Sequence, residues 1–290
     1  MTLAAAINRG LRKALEDDPR VVLFGEDIGA LGGVFRITDG LQKDFGDRRV
    51  IDAPLAEAGI VGTGVGMAMS GLRIMAPGTP HDAYWGIQEA IASEVPVMFF
   101  EPKRRYWMKG EVGTADPAAC GSFDPAGGAV VRRPGEDVTL VTYGPLVTTA
   151  LDVAAAAQDD GVSVEVVDLR VISPVDIDTV VTSVRKTGRL VIAHEAPTSF
   201  GVGAEIAARV RKKCFYDLEA PMIRVGGFHT PYPASRSEHH YLPDVDRILD
   251  GIDRALEYGG GEHEYSPVQA PRRRRGPHGS GHPDLESRCR

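Results

Sequence analysis

Cysteine is scarce. Cys120, Cys214 and Cys289 are far apart, odd in number and without a CxxC pair, which excludes a disulfide framework and a cysteine-based zinc site and favours a reducing, cytoplasmic setting. Long apolar runs are missing as well: nothing approaches a membrane span, and the arginines and lysine of the first sixteen residues break any signal-peptide core. No membrane partner is expected. Basic charge is not in excess, since the formal net charge is -7, and phosphate backbones demand a basic surface. Nucleic acid is therefore excluded as the main ligand. There is no GxSxG elbow and no Walker loop, and His229, His239 and His240 lack the spacing of zinc ligands.

What is present is ordinary for a globular α/β chain. The 290 residues are 43% hydrophobic and 25% charged, enough for two domains. Leu3, Ile7, Leu11 and Leu15 mark one face of a helix over Met1 to Glu16. A strand at Val21–Phe24, a short helix over Thr38–Phe45 and a strand at Val50-Ile51 follow. Further on come a helix over about Pro80–Ser93 and a strand at Val97–Phe100. Regular periodicity then stops until Glu136, and Pro, Gly, Asp and Ala accumulate between Asp116 and Gly128, as in an interdomain linker. From Val138 strands and helices alternate again to Tyr258, the pattern of a parallel sheet. The run Arg272–Arg275, set among Gly, Pro, His and Ser, gives a basic tail over 259–290 that is expected to be disordered.

The best candidate for chemistry is Glu57, at the start of a small-residue helix that runs from Leu55 to Met69 after the turn at Pro54. The helix dipole favours its anion, whereas burial among Ile60, Val61 and Val65 favours its neutral form. The plainer alternative is a carboxylate that complements the dipole. Glu26 and Asp27 end the first strand, at the edge where open α/β sheets place their sites, or else do turn and capping work. His194-Glu195 offers acid–base chemistry or, more simply, a hydrogen-bonded strand end. Gly62, Gly64 and Gly66 imitate a dinucleotide fingerprint but fall inside a helix rather than in the turn after a strand.

Several runs, taken in order, make the chain resemble the beta subunit of thiamine-diphosphate-dependent 2-oxo acid dehydrogenases. They include Gly25-Glu26-Asp27-Ile28-Gly29, Gly33-Val34-Phe35-Arg36, Pro54-Leu55-Ala56-Glu57-Ala58-Gly59-Ile60, Phe100-Glu101-Pro102-Lys103-Arg104, Asp168-Leu169-Arg170, His194-Glu195-Ala196 and His240-Tyr241-Leu242-Pro243. The resemblance covers positions 1 to about 258. It implies two parallel-sheet α/β domains: a transketolase-like pyrimidine-binding domain over 1–115 and a transketolase C-terminal-type domain over 137–258, joined by a linker at 116–136. It implies that Glu57 hydrogen-bonds the aminopyrimidine of thiamine diphosphate and promotes its imino tautomer. Leu55 would line the same pocket, and Glu26 would belong to the cofactor site.

The resemblance further implies two alpha and two beta chains, with the diphosphate and magnesium held by the alpha subunit, and a lipoyl acyltransferase core as the wider partner. Oxidative decarboxylation of branched-chain 2-oxo acids is the expected reaction, because Gly33–Arg36 and Pro54–Glu57 are closest to that branch. Pyruvate or acetoin is the alternative substrate.

One departure stands out. After Gly71-Leu72-Arg73 the family continues through roughly seventy residues, several average elements, that are absent here. The segment would have carried a pocket aromatic and an active-site histidine, and a truncated, non-catalytic subunit that keeps only assembly surfaces is a further reading. Ala90-Ile91 fit the family's monovalent-cation loop, but Ser93 and Val95 stand where Asp and Asn are frequent, which does not favour potassium.

Because the glycines at 62–66 lack the turn context of a dinucleotide site, calorimetric titration with NAD is expected to give only heats of dilution. Saturable binding would contradict that reading.

Overall fold

The structure is a computed structural model, and it describes residues 1–53, 73–93, 97–114 and 128–258. The expected helix over Leu55–Met69, and with it Leu55 and Glu57, lies outside the described residues, as do most of the expected linker and the tail.

In the N-terminal half, helix α1 (Leu3–Asp17) buries the face read from its periodicity, Leu3, Ile7, Leu11 and Leu15. The Thr2 hydroxyl caps its start by accepting from Ala5 N at 3.1 Å. At its other end the Arg49 guanidinium donates to the carbonyls of Leu15 and Asp18 at 2.8 and 2.7 Å, taking up acceptors that a helix C-terminus leaves open. Strands β1 (Leu23–Glu26) and β2 (Val50–Ala53) form a parallel pair, with α2 (Leu41–Phe45) between them in the chain. Strand β3 (Arg73–Met75) leads into helix α3 (Pro80–Ala92), which starts at Pro80 behind the cap residue Thr79 and packs on α1. Strand β4 (Val97–Phe99) follows. One apolar cluster unites α1, α3, Leu41 and Val50.

The C-terminal half is built on a five-stranded sheet in the order β10-β9-β6-β7-β5. Its strands are β5 (Val130–Arg133), β6 (Val138–Thr142), β7 (Val164–Asp168), β9 (Leu190–Pro197) and β10 (Ile223–Gly227). Every residue of β6 and β7 is buried, so both faces of the sheet must be covered. Alternation does the sorting. Val138 and Leu140 face helices α4 (Leu146–Asp159) and α8 (Val245–Leu256), packing with Ala150, Val153, Ile248 and Ile252. Val141 and Val167 face α5 (Ile177–Thr187) and α6 (Val202–Cys214), packing with Val180, Val184, Ile206 and Val210. Buried Thr139 on that second face is satisfied by the Thr187 hydroxyl at 2.7 Å. A short helix α7 (Glu238–Tyr241) precedes α8.

Two strands escape the sequence pattern. Strand β5 begins inside the stretch read as linker and runs antiparallel to β7. Strand β8 (Val171–Ser173) leaves the C-terminal sheet to pair antiparallel with β3, which itself pairs parallel with β4. Both have too few residues to show periodicity. The two larger sheets are consequently mixed rather than purely parallel.

Gly135 lies so close to the backbone at Val164 and Glu165 that an added Cβ would overlap both. Gly135→Ala is therefore expected to destabilise the chain by about 1–3 kcal/mol, the usual cost of overpacking. Chemical denaturation checks this, and an unchanged midpoint would refute it.

Candidate functional site

Glu26 and Ala53 are the last paired residues of β1 and β2, so the first parallel pair presents its C-terminal edge with a half-buried carboxylate on it. The loop beyond is tightly tied. Asp27 adopts φ 55° and its carbonyl accepts from Gly33 N at 2.7 Å. The Asp52 carboxylate accepts from Gly29 N at 2.6 Å, and the Thr38 hydroxyl donates to Ile28 O at 2.7 Å. Turn-forming and anchoring work thus falls to Asp27, Asp52 and Thr38. Among the described residues no group pairs with the Glu26 carboxylate.

A second carboxyl lies just beyond β4. Glu101 accepts from the Tyr106 hydroxyl at 2.8 Å; burial pushes its pKa up and that hydrogen bond pulls it partly back. Tyr106 meets Phe35 edge-on at 5.4 Å, which ties this pair to the loop that follows β1.

The histidine–glutamate motif is divided in its roles. His194 lies within β9 and is fully buried, donating through Nδ1 to Ala196 O at 2.9 Å and stacking with Tyr143. Burial lowers its pKa, so the ring is held neutral. Glu195 pairs with Arg104 across the two halves of the chain. The plainer reading of a hydrogen-bonded strand histidine is the one the geometry favours.

Sequence reasoning missed a buried charged cluster where the halves meet, made of Asp82, Arg132, Asp168 and Arg170. Burial raises the Asp168 pKa, Arg132 lowers it and Asp82 raises it again, leaving it at about 6. The run Asp168-Leu169-Arg170 was the visible signal. Asp82 and Arg132 stand alone in sequence and carry none. No group of three or more His, Cys, Asp or Glu able to hold a metal ion occurs among the described residues, and no helix there is long and apolar enough to cross a membrane.

With this geometry in hand, comparison with known proteins identifies the architecture. The family described as transketolase, pyrimidine binding domain, matches residues 1–75, and that described as transketolase, C-terminal domain, matches residues 127–248. A solved split gene transketolase, an inactive beta4 tetramer, superposes with a TM-score of 0.73 at 18% identity, covering 89% of this chain and 99% of its own. The chain is thus a transketolase-fold α/β protein. A pyruvate dehydrogenase E1 component subunit beta from Leifsonia xyli subsp. xyli is 44% identical over 326 residues, covering 89% of this chain and 95% of its own. A 3-methyl-2-oxobutanoate dehydrogenase subunit beta from Mycobacterium tuberculosis is 40% identical over 325 residues, covering 88% and 92%. The chain belongs to the beta-subunit family of thiamine-diphosphate-dependent 2-oxo acid dehydrogenases.

The first of these alignments spans 326 positions, yet 89% of 290 residues is only about 258, so about 68 positions of the relative have no counterpart here.

The buried, neutral His194 predicts an acid-side loss of stability. Its folded pKa is depressed, so below the unfolded value of about 6.5 only the unfolded chain takes up the proton, and folding weakens by at most about 1.4 kcal/mol per pH unit. His194→Gln is expected to flatten the stability profile just below pH 6.5. Parallel profiles for the two proteins would exclude this assignment.

Proposed function

We propose that the chain serves as the beta subunit of a pyruvate dehydrogenase-type component, taking part in oxidative decarboxylation of a 2-oxo acid with acyl transfer to lipoamide. The observation that carries this reading is the 44% identity across 95% of a pyruvate dehydrogenase beta subunit. It is preferred to the branched-chain expectation, which rests on two short runs, while the branched-chain relative is 40% identical. We take 1–115 and 137–258 as the two domains, with β5 joining the second sheet from within the 116–136 stretch.

The described residues suit thiamine diphosphate in one respect. An unpaired carboxylate, Glu26, stands at the C-terminal edge of β1, opposite Ala53, the last described residue before Leu55 and Glu57. Carboxylates are hydrogen-bond acceptors, as an aminopyrimidine donor requires. Glu57 would hold a proton at its carboxyl oxygen and donate it in a hydrogen bond to the pyrimidine ring, Leu55 would exclude water, and Glu26 would add acceptor capacity. When bound, thiamine diphosphate supplies the carbon nucleophile and electron sink that decarboxylation needs. An alpha subunit would hold the diphosphate and magnesium, and a lipoyl acyltransferase core would accept the product.

A second reading has its own observation. About 68 relative positions have no counterpart. Among the described residues the N-terminal strands form two separate sheets, β1-β2 and β4-β3-β8. A chain so shortened would keep assembly surfaces without turnover. Unpaired strand edges would then favour association.

Co-purification with its alpha partner and assay on pyruvate and 3-methyl-2-oxobutanoate decide between these readings. Faster thiamine-diphosphate-dependent turnover of pyruvate is expected, falling at least about 100-fold in Glu57→Ala, in the range of a lost acid–base group. Preference for the branched substrate would reverse the choice of substrate, and absence of turnover would favour the assembly role.

A further inference from the structure

The segment 73–92 is attached to the C-terminal half by more than chain continuity. Strand β3 pairs with β8, Ala76 N donates to Arg170 O at 2.8 Å, and a Cβ at Gly78 would collide with Val147. At the centre of this junction sits one guanidinium. Arg132, 12% exposed on β5, donates through Nε and Nη2 to Asp168 Oδ2 at 3.1 and 2.8 Å, and its Nη2 also pairs with Asp82 Oδ2. Asp168 ends β7 of the C-terminal sheet, whereas Asp82 lies in the first turn of α3. They are 0% and 2% exposed.

Neither carboxylate has bulk water to turn to. Asp82 also receives the Thr79 hydroxyl, and Arg170 Nη1 stands 3.9 Å from its other oxygen. Arg170 is itself committed, holding Gly128 O through Nε at 3.0 Å and donating its backbone N–H to Asp168 Oδ1 at 3.1 Å. Among the described residues the cluster sets two guanidiniums against two carboxylates, and removing Arg132 leaves two buried carboxylates with only Arg170 beside them. Stripping one partner from such a group is far more damaging than never having had it.

We infer that Arg132 is the positioning residue that docks α3, and through α3 the whole N-terminal half, onto the C-terminal sheet. The route is contiguous. Asp82 is followed by Ala83 and Tyr84, which share a core with Leu3, Ile7, Leu41 and Val50, and Leu23 of β1 packs against that core. The guanidinium thus fixes the helix against which the β1–β2 pair, with Glu26 at its edge, is built. A planar fork can serve two acceptors at once, which an ammonium does less well. The inference depends on the described charges alone and holds whether or not the chain decarboxylates a 2-oxo acid.

Hydrogen–deuterium exchange on the full chain tests it, comparing wild type, Arg132→Met, Arg132→Lys and the double variant Arg132→Met/Asp168→Asn. Arg132→Met should accelerate exchange in peptides covering 3–17 and 74–92 by about tenfold or more, with β6 and β9 within about twofold, as expected for sub-global opening of one half. Arg132→Lys should lie between. The double variant, which restores charge balance without restoring the hydrogen bonds, should recover most of the protection. Equal acceleration in both halves, no acceleration, or failure of Asp168→Asn to restore protection would overturn the inference. Should Arg132→Met not accumulate, Arg132→Lys is decisive alone: selective acceleration of 3–17 and 74–92 supports the docking role, and uniform or unchanged exchange removes it.

Discussion

Strands β6 and β7, buried along their whole length, are the constraint from which the rest of the structure follows. A backbone removed from water must pair its N–H and C=O groups on both sides, and a strand without a solvent face needs apolar cover above and below. The first demand places β9 and β10 on one flank and β5 on the other. The second places α4 and α8 on one face and α5 and α6 on the opposite one. Several polar residues in this interior have partners, Thr139 with Thr187 and Glu165 with Gly135 N and Lys186, whereas the buried Thr142 hydroxyl has none among the described residues. Asp168, at the end of β7, is a fully buried carboxylate that meets the other half of the chain through Arg132, which it shares with Asp82.

Much of the fold is legible in the residues because its longer elements repeat. Four leucine and isoleucine positions announce α1, and the βα alternation after Val138 announces the second sheet. What could not be read was short or non-local. Val130–Arg133 becomes a strand because β7 offers it an edge, and Val171–Ser173 because β3 does; neither run contains enough residues to declare itself. The site divides in the same way. Glu26, a proposed site residue, could be picked out by its place at the end of an apolar run. Arg132 could not, since its two partners are 50 and 36 residues away and meet only when the halves are assembled.

Family membership and the contacts across the boundary between the halves bear on different levels of the molecule. Membership speaks for the chemistry that these sheets evolved to frame. The contacts across the boundary speak for how the frame is held: β8 lends an edge to β3, Arg105 reaches Pro145 O at 3.0 Å, and buried charges gather around Arg132. The C-terminal half acts as a template as well as a neighbour.

Arg170 shows how little freedom such a template leaves. Its backbone is left-handed at φ 52°, a region that costs a side-chain-bearing residue about 1–2 kcal/mol and that glycine would occupy without strain. Yet its guanidinium holds Gly128 O and faces Asp82, and both contacts would vanish with the side chain. Local comfort and long-range anchoring therefore pull this position in opposite directions. A sequence that drifted toward the residue the backbone prefers would lose the Gly128 anchor ahead of β5 and one of the two guanidiniums near the first turn of α3, so a single unfavourable torsion works as a rivet between parts that no covalent neighbour joins.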